Sequence, residues 1–305
     1  MKKGFKTGIA LLMVLALAFP AAPAAAADSA EDSGGFAETL SMWKLLSIDV
    51  EVVDLTHQMQ GACTDGRYIW AGWNNRRIIT RLDLTTWELE TREYSEDDWV
   101  CNHVNDMTYN PNTNRLYVVA FDPNDNATRG DVAVFDPITL EFIELIRLTN
   151  DGKVLRINGI AYDRSRDEYI VSVSGNAGRR FAFLDADFQY LRTVNADRDV
   201  TLTIQGIETD GTYIYRSLWD FNVTNVIQVF DFEGRFVTQI GTGTRGKVLE
   251  VEDIMYDWSG NWYLNFSHRN GTGGSFYYTQ LRPAADSSQF ENMLGRISLP
   301  PNQIL

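Results

Sequence analysis

The chain is short of basic charge, of cysteine and of histidine. Its 305 residues hold 27 Lys and Arg against 41 Asp and Glu, with two Cys and three His. Beyond residue 27 the only lysines are Lys44, Lys153 and Lys247. A chain this acidic, with no basic stripe, is excluded from binding nucleic acid by neutralising phosphates. Beyond residue 27 no apolar run approaches the roughly 20 residues that span a bilayer, so no membrane span is expected. There is no Gly-x-Ser-x-Gly, no Walker loop and no His-Glu-x-x-His, which removes three common catalytic signatures. No long window sustains a 3.6-residue apolar period, which argues against a helical fold. What is present is ordinary for a globular protein, 44% hydrophobic and 22% charged, and unlike a disordered chain.

Lys2, Lys3 and Lys6 precede a short apolar run from Ile9 to Phe19 and an Ala-rich stretch from Ala21 to Ala27. That pattern predicts a secretory signal peptide over residues 1–27, too short and wrongly flanked to be a membrane span. Its removal takes the basic residues from 27 to 24 against 41 acids, a net charge of −17. The mature protein is expected to be soluble, secreted to the extracellular space or periplasm, and monomeric. Residues 28–42 read as a flexible acidic lead-in, and residues 43–305 as one domain. The acid-rich, Lys-poor composition suits high ionic strength, although plain compositional bias explains it as well.

Export to an oxidising compartment permits a Cys63–Cys101 disulfide. It would close a loop of about 38 residues and contribute roughly 4 kcal/mol. The alternative is two separate thiols. On straight neighbouring strands the two residues would stand roughly 23 Å apart, beyond disulfide reach, so residues 97–103 would have to fold back.

Five segments of the chain align with one another. They are Gln60-Gly61-Ala62, Asn105-Asp106-Met107, Asn158-Gly159-Ile160, Gln205-Gly206-Ile207 and Glu252-Asp253-Ile254, spaced 45, 53, 47 and 47 residues apart. Each is followed by a turn such as Asp65-Gly66 or Asp210-Gly211, then by an aromatic strand such as Tyr68-Ile-Trp or Tyr213-Ile-Tyr. In four repeats a third strand ends in Asp, at Asp83, Asp136, Asp185 and Asp231, which is expected to cap the following turn. Four short strands per unit at this period predict an all-β fold, a β-propeller of four-stranded blades. Five blades are expected, with a degenerate sixth as the alternative. The last blade lacks an obvious fourth strand, which either residues 293–299 or residues 46–55 could supply.

The innermost strand of each blade lines the channel. The register therefore gathers Gln60, Asn105, Asn158, Gln205 and Glu252 in a ring near one mouth. Such a ring can be a satisfied polar core holding channel water. It can equally be a site for a polar ligand or for a hard cation such as Ca²⁺, which prefers carboxylate and amide oxygens. The loops between second and third strands share that face and form a rim on which function commonly sits. They carry Trp73, Arg76 or Arg77, Arg129, Arg179 or Arg180, Trp219, Asp220, His268 and Arg269. The arginines could grip a carboxylate or phosphate, and Trp73 and Trp219 could stack on a sugar; solvated or acid-paired arginines are the plainer reading. His57, His103 and His268 all approach this face, where histidine could serve as acid, base or ligand. Four Asn-x-Ser/Thr sequons are discounted because the export signal has a bacterial form.

The phrases Val104-Asn-Asp-Met, Ile157-Asn-Gly-Ile-Ala-Tyr-Asp163 and Val251-Glu-Asp-Ile-Met-Tyr-Asp257 resemble channel-lining strands of SMP-30/gluconolactonase-like and NHL-type propellers. That resemblance implies a divalent metal, commonly calcium, with Asn105, Asn158 and Glu252 as its ligands. Those lactonases have six blades, and their first-blade Glu falls at Gln60 here. Secreted five-bladed glutaminyl cyclases, similar in size and in a Gln-Gly step, rank lower. The expectation is therefore an exported propeller that binds a polar small molecule, glycan or protein on its loop face. The alternative is a metal-dependent lactonase- or esterase-like hydrolase with its site at the channel and Glu252 as its main carboxylate.

Overall fold

The computed structural model of the chain describes residues 38–39, 42–48, 57–99, 101–121, 130–173, 180–198, 202–219, 224–245, 249–268 and 273–279. The described residues contain no helix and form five antiparallel blades of four strands. Strands are lettered A to D from the channel outward. Blade 1 is Met59–Thr64, Tyr68–Trp73, Ile78–Asp83 and Leu89–Glu93. Blade 2 is His103–Asn110, Arg115–Phe121, Asp131–Phe135 and Phe142–Arg147. Blade 3 is Ile157–Asp163, Glu168–Val173, Arg180–Leu184 and Tyr190–Asn195. Blade 4 is Thr203–Thr209, Ile214–Trp219, Thr224–Phe230 and Phe236–Arg245.

Blade 5 closes the ring. Its strands A to C are Leu249–Tyr256, Trp262–His268 and Gly274–Thr279, and its strand D is Met42–Ile48 from the other end of the chain, with Leu46 opposite Phe276. This settles the two readings of the missing fourth strand in favour of the N-terminal one, and the blade count at five. It also explains why the fifth repeat has no Asp ending strand C: there is no C–D turn to cap. In the other four blades the Asp does cap that turn. Asp83 accepts the Thr85 amide at 2.7 Å, Asp136 the Thr139 amide at 2.8 Å, Asp185 the Gln189 amide at 2.8 Å and Asp231 the Arg235 amide at 2.9 Å. Glu38–Thr39, within the stretch expected to be a lead-in, pairs in parallel with the outer edge of blade 4. The expected signal segment and residues 293–299 lie outside the described residues.

Each blade buries both faces, which is why its B strand reads as a continuous apolar run rather than an alternating one. Successive residues of one strand point to opposite neighbours. Tyr117 and Val119 pack toward blade 3, while Leu116 and Val118 pack toward blade 1. Five hydrophobic clusters result, one in each wedge between blades. The D strands lie outermost and alternate between partly buried and exposed positions. Among the described residues, no helix is long and apolar enough to cross a membrane.

Candidate functional site

The A strands share an irregularity that their sequences do not announce. In every blade the A–B pairing slips at the repeated tripeptide: between Met59 and Ala62, Val104 and Asp106, Ile157 and Gly159, Ile204 and Ile207, and Val251 and Asp253. A bulge sets two residues against one and re-aims side chains. Both the ring residue and the one after it thereby become channel positions.

The first layer is the ring. Glu252, 1% exposed, accepts the Gln60 amide NH₂ at 2.8 Å and the Ser267 hydroxyl at 2.7 Å. Glu250, two residues earlier and on the same face of the strand, accepts the Gln205 NH₂ at 2.6 Å. Asn105 donates its side-chain amide to the Asn158 carbonyl in the next blade. Asn265 does the same for the Gln60 carbonyl. An ionised carboxylate only accepts, so the two glutamates fix which way Gln60 and Gln205 turn. The amide oxygens of both glutamines make no hydrogen bond among the described residues.

The second layer lies one residue deeper, where the five blades carry Gly61, Asp106, Gly159, Gly206 and Asp253. The glycines make room for the two aspartates. A Cβ on Gly206 would collide with the Asp253 carboxylate, and one on Gly159 would stand 2.7 Å from Asp106 Oδ2. Asp106 Oδ2 accepts the amides of Ile160 at 2.8 Å and Ile207 at 3.0 Å, and Oδ1 that of Met107 at 2.7 Å. Asp253 accepts the amides of Ala62 and Ile254, both at 2.8 Å. The two carboxyls sit close enough for the charge of Asp106 to act on Asp253. Burial raises the pKa of both, and for Asp253 the charge of Asp106 adds to it. Deeper still, burial pushes Glu208 up to about 8. The Cys63 thiol is raised first by burial, then by Glu208, Asp253 and Asp106.

The rim residues are placed as follows. Trp73 is 2% exposed and donates its indole N–H to Thr80 at 2.8 Å, so it belongs to the wall of blade 1 rather than to an open platform. Trp219 is buried in the wedge between blades 4 and 5. Arg76 pairs with Glu93 at 2.5 Å and Arg77 with Glu96 at 3.7 Å. His103 Nδ1 is 2.7 Å from Asn74 Oδ1, and its ring lies 4.6 Å from that of Phe121. His268 Nε2 is 2.7 Å from Ser275 Oγ. The carbonyl of His57 accepts the Gly273 amide at 3.0 Å. His57 and His268 thus flank one stretch of blade 5, and His103 is tied to blade 1. Arg129, Arg179, Asp220 and Arg269 lie outside the described residues.

Cys63 and Cys101 are not joined to each other, which is the second of the two readings left open by the sequence. The chain does fold back before strand A of blade 2, and both residues pack in the wedge between blades 1 and 2 with Trp70 and Trp99.

As hydrogen-bonded here, the ring is held together by its own side chains and is not assembled around a divalent cation. Gln60, Gln205 and Asn105 turn N–H groups, not oxygens, into the contacts that hold the ring together. The Asp106–Asp253 pair is occupied by five backbone amides. Among the described residues no three His, Cys, Asp or Glu side chains are placed to hold a metal. The residues that sequence reasoning missed are Asp106, Asp253, Glu250 and Ser267. The first two were legible as the second letter of the tripeptide, which reads Gly, Asp, Gly, Gly, Asp around the ring.

No protein-family model matches the chain, and no curated protein sequence matches it. Several solved structures are similar to it. The glutaminyl cyclase of Myxococcus xanthus is 13% identical, with a TM-score of 0.56 over 82% of this chain and 100% of that one. A luciferin-regenerating enzyme is 8% identical, with a TM-score of 0.49 over 79% of this chain and 95% of that one. The hydrazine synthase of Kuenenia stuttgartiensis is 14% identical, with a TM-score of 0.42 over 72% of this chain and 57% of that one. At 13% identity the likeness to the glutaminyl cyclase is one of fold alone.

Proposed function

We propose that this is an exported propeller that binds a small polar ligand, rich in hydrogen-bond donors, over the ring at the channel mouth. The observation that carries this reading is the pairing of Glu250 with Gln205 and of Glu252 with Gln60. It leaves two amide oxygens as uncommitted acceptors beside two carboxylates. Sugars, polyols and amines supply the matching donors. A thermal-melting series of the mature protein against such compounds tests it, because a ligand of the folded state raises the melting temperature by mass action. Stabilisation by a hydroxyl- or amine-rich compound supports the reading. A flat response across all of them overturns it.

A second reading is enzymatic. Glu252 is buried, held from two sides and positioned at a channel mouth, which suits a proton-transfer group. The fold shared with a glutaminyl cyclase along that protein's full length supports keeping it in view. Turnover of glutaminyl peptides, lactones or esters that disappears in Glu252→Gln would establish this reading over simple binding.

A further inference from the structure

The opposite mouth of the channel is built from the five A–B turns, and it carries an arginine that the protein leaves without an anion. Arg164 opens the turn of blade 3, directly after strand A ends at Asp163. Its guanidinium carbon lies 5.6 Å from the centre of the Trp258 ring, in the corresponding turn of blade 5. The side chain therefore reaches past blade 4. Gly211 of the blade 4 turn makes room: a Cβ there would stand 3.0 Å from Ser165 Oγ and 3.4 Å from the Trp258 ring.

Arg164 is partly buried, and its Nε is sealed from solvent with no hydrogen-bond partner. It forms no ion pair or hydrogen bond among the described residues. In a chain with 41 acids this stands out, because a buried N–H is normally matched. The nearby carboxyls are committed elsewhere. Asp163 accepts Ser165 Oγ and Arg166 Nη1, both at 2.6 Å. Asp65 holds the Arg67 and Tyr68 amides at 2.8 and 2.6 Å. Asp210 holds those of Thr212 and Tyr213 at 2.8 Å. Asp257 holds those of Ser259 and Asn261 at 2.8 and 3.0 Å. Glu208 feels the Arg164 charge but accepts the Thr209 and Tyr256 amides at 2.8 and 3.2 Å, and burial pushes it up to about 8.

We infer that Arg164 and Trp258 form a second site, at the A–B turn mouth, for a carboxylate carried on a flat aromatic body. With its carbon over the indole, the guanidinium keeps an N–H fork with which a carboxylate can form two parallel hydrogen bonds. The aromatic body follows from the walls. The Tyr256 ring is 5.5 Å from that of Trp258, and Tyr109 lies close enough for the Arg164 charge to act on its hydroxyl. This site is separate from the ring and stands whether or not the ring binds anything.

Calorimetric titration of the mature protein with benzoate, acetate and inorganic phosphate tests the inference. Benzoate binds wild type at millimolar concentration and more tightly than acetate or phosphate. Arg164→Gln weakens benzoate by about tenfold or more and Arg164→Lys by roughly threefold to tenfold, as expected for loss of charge or of the fork. Arg156→Gln, at an exposed arginine, leaves it unchanged. Melting curves verify folding; should Arg164→Gln not fold, Arg164→Lys carries the test. Absence of benzoate binding to wild type, or unweakened binding in the folded Arg164 variants, overturns the site. Phosphate binding as tight as benzoate overturns the carboxylate assignment.

Discussion

Asp106 of blade 2 and Asp253 of blade 5 face each other in the channel closely enough for their charges to interact, although blade 1 lies between them in the ring. Through the amides of Ile160, Ile207 and Ala62 the same pair also reaches blades 3, 4 and 1. Two side chains thus touch all five blades. A propeller whose blades contact only their neighbours gains from this a set of cross-ring ties.

Replacing either aspartate with Asn removes an acceptor, because an amide nitrogen cannot receive the backbone N–H that a carboxyl oxygen does. Asp106→Asn and Asp253→Asn are each expected to lose about 1 to 3 kcal/mol by urea unfolding, the cost of a buried unsatisfied N–H. Asp106, which receives three amides against two, is the costlier. Unchanged unfolding midpoints would remove the pair from the account of stability.

Gly206→Ala places a methyl where the Asp253 carboxylate stands. The expected loss is about 3 kcal/mol, at the upper end for overpacking a tight core. Gly152→Ala meets nothing within 4 Å and costs only the strain of φ 73°, about 1 kcal/mol. Thermal melts of the two variants separate the contributions, and equal losses would contradict the packing argument.

Stability should fall as pH rises from about 4.5 to about 8. Glu208 titrates near 8 when folded, against an unfolded value near 4.3. Between those values the unfolded chain gives up a proton that the folded one keeps, so the stabilisation is complete below the lower value and lost on approaching the upper. The raised Asp106 and Asp253 act in the same direction. Melting temperature against pH should show this slope, and Glu208→Gln should flatten it whatever its absolute stability. An identical slope in the variant would contradict the assignment.

Chelation should leave the melting temperature unchanged to within about 1 °C, since a metal bound only by the folded state would have stabilised it measurably. A fall of several degrees, reversed by calcium, would restore the cation reading of the ring.

Much of the fold was legible because each blade repeats the same physics. The A–B and C–D turns require Asp or Asn at fixed offsets, and those residues recur where the structure uses them, at Asp65, Asp83, Asp210 and Asp231. The pairing of Gln60 with Glu252 joins two positions of the repeat register, whereas Gln205 meets Glu250, two residues outside it. The Asp106–Asp253 pair did not follow from register, because a bulge inside a strand leaves the apolar pattern intact while changing which residues face the channel. Trp73 illustrates the opposite error: loop-like neighbours in sequence suggested a rim position, but its indole N–H finds Thr80 inside the blade. The site at Arg164 depends on reach across blade 4, which no local pattern encodes.

The most direct measurement is calorimetric titration of the compound that most stabilises the mature protein, repeated on Gln60→Ala, Gln205→Ala and Glu252→Gln. The account predicts folded variants whose affinity falls by about tenfold or more each, the loss of a hydrogen bond to a preorganised polar group. Affinity unchanged in all three folded variants would contradict binding over the ring and move the ligand to another face.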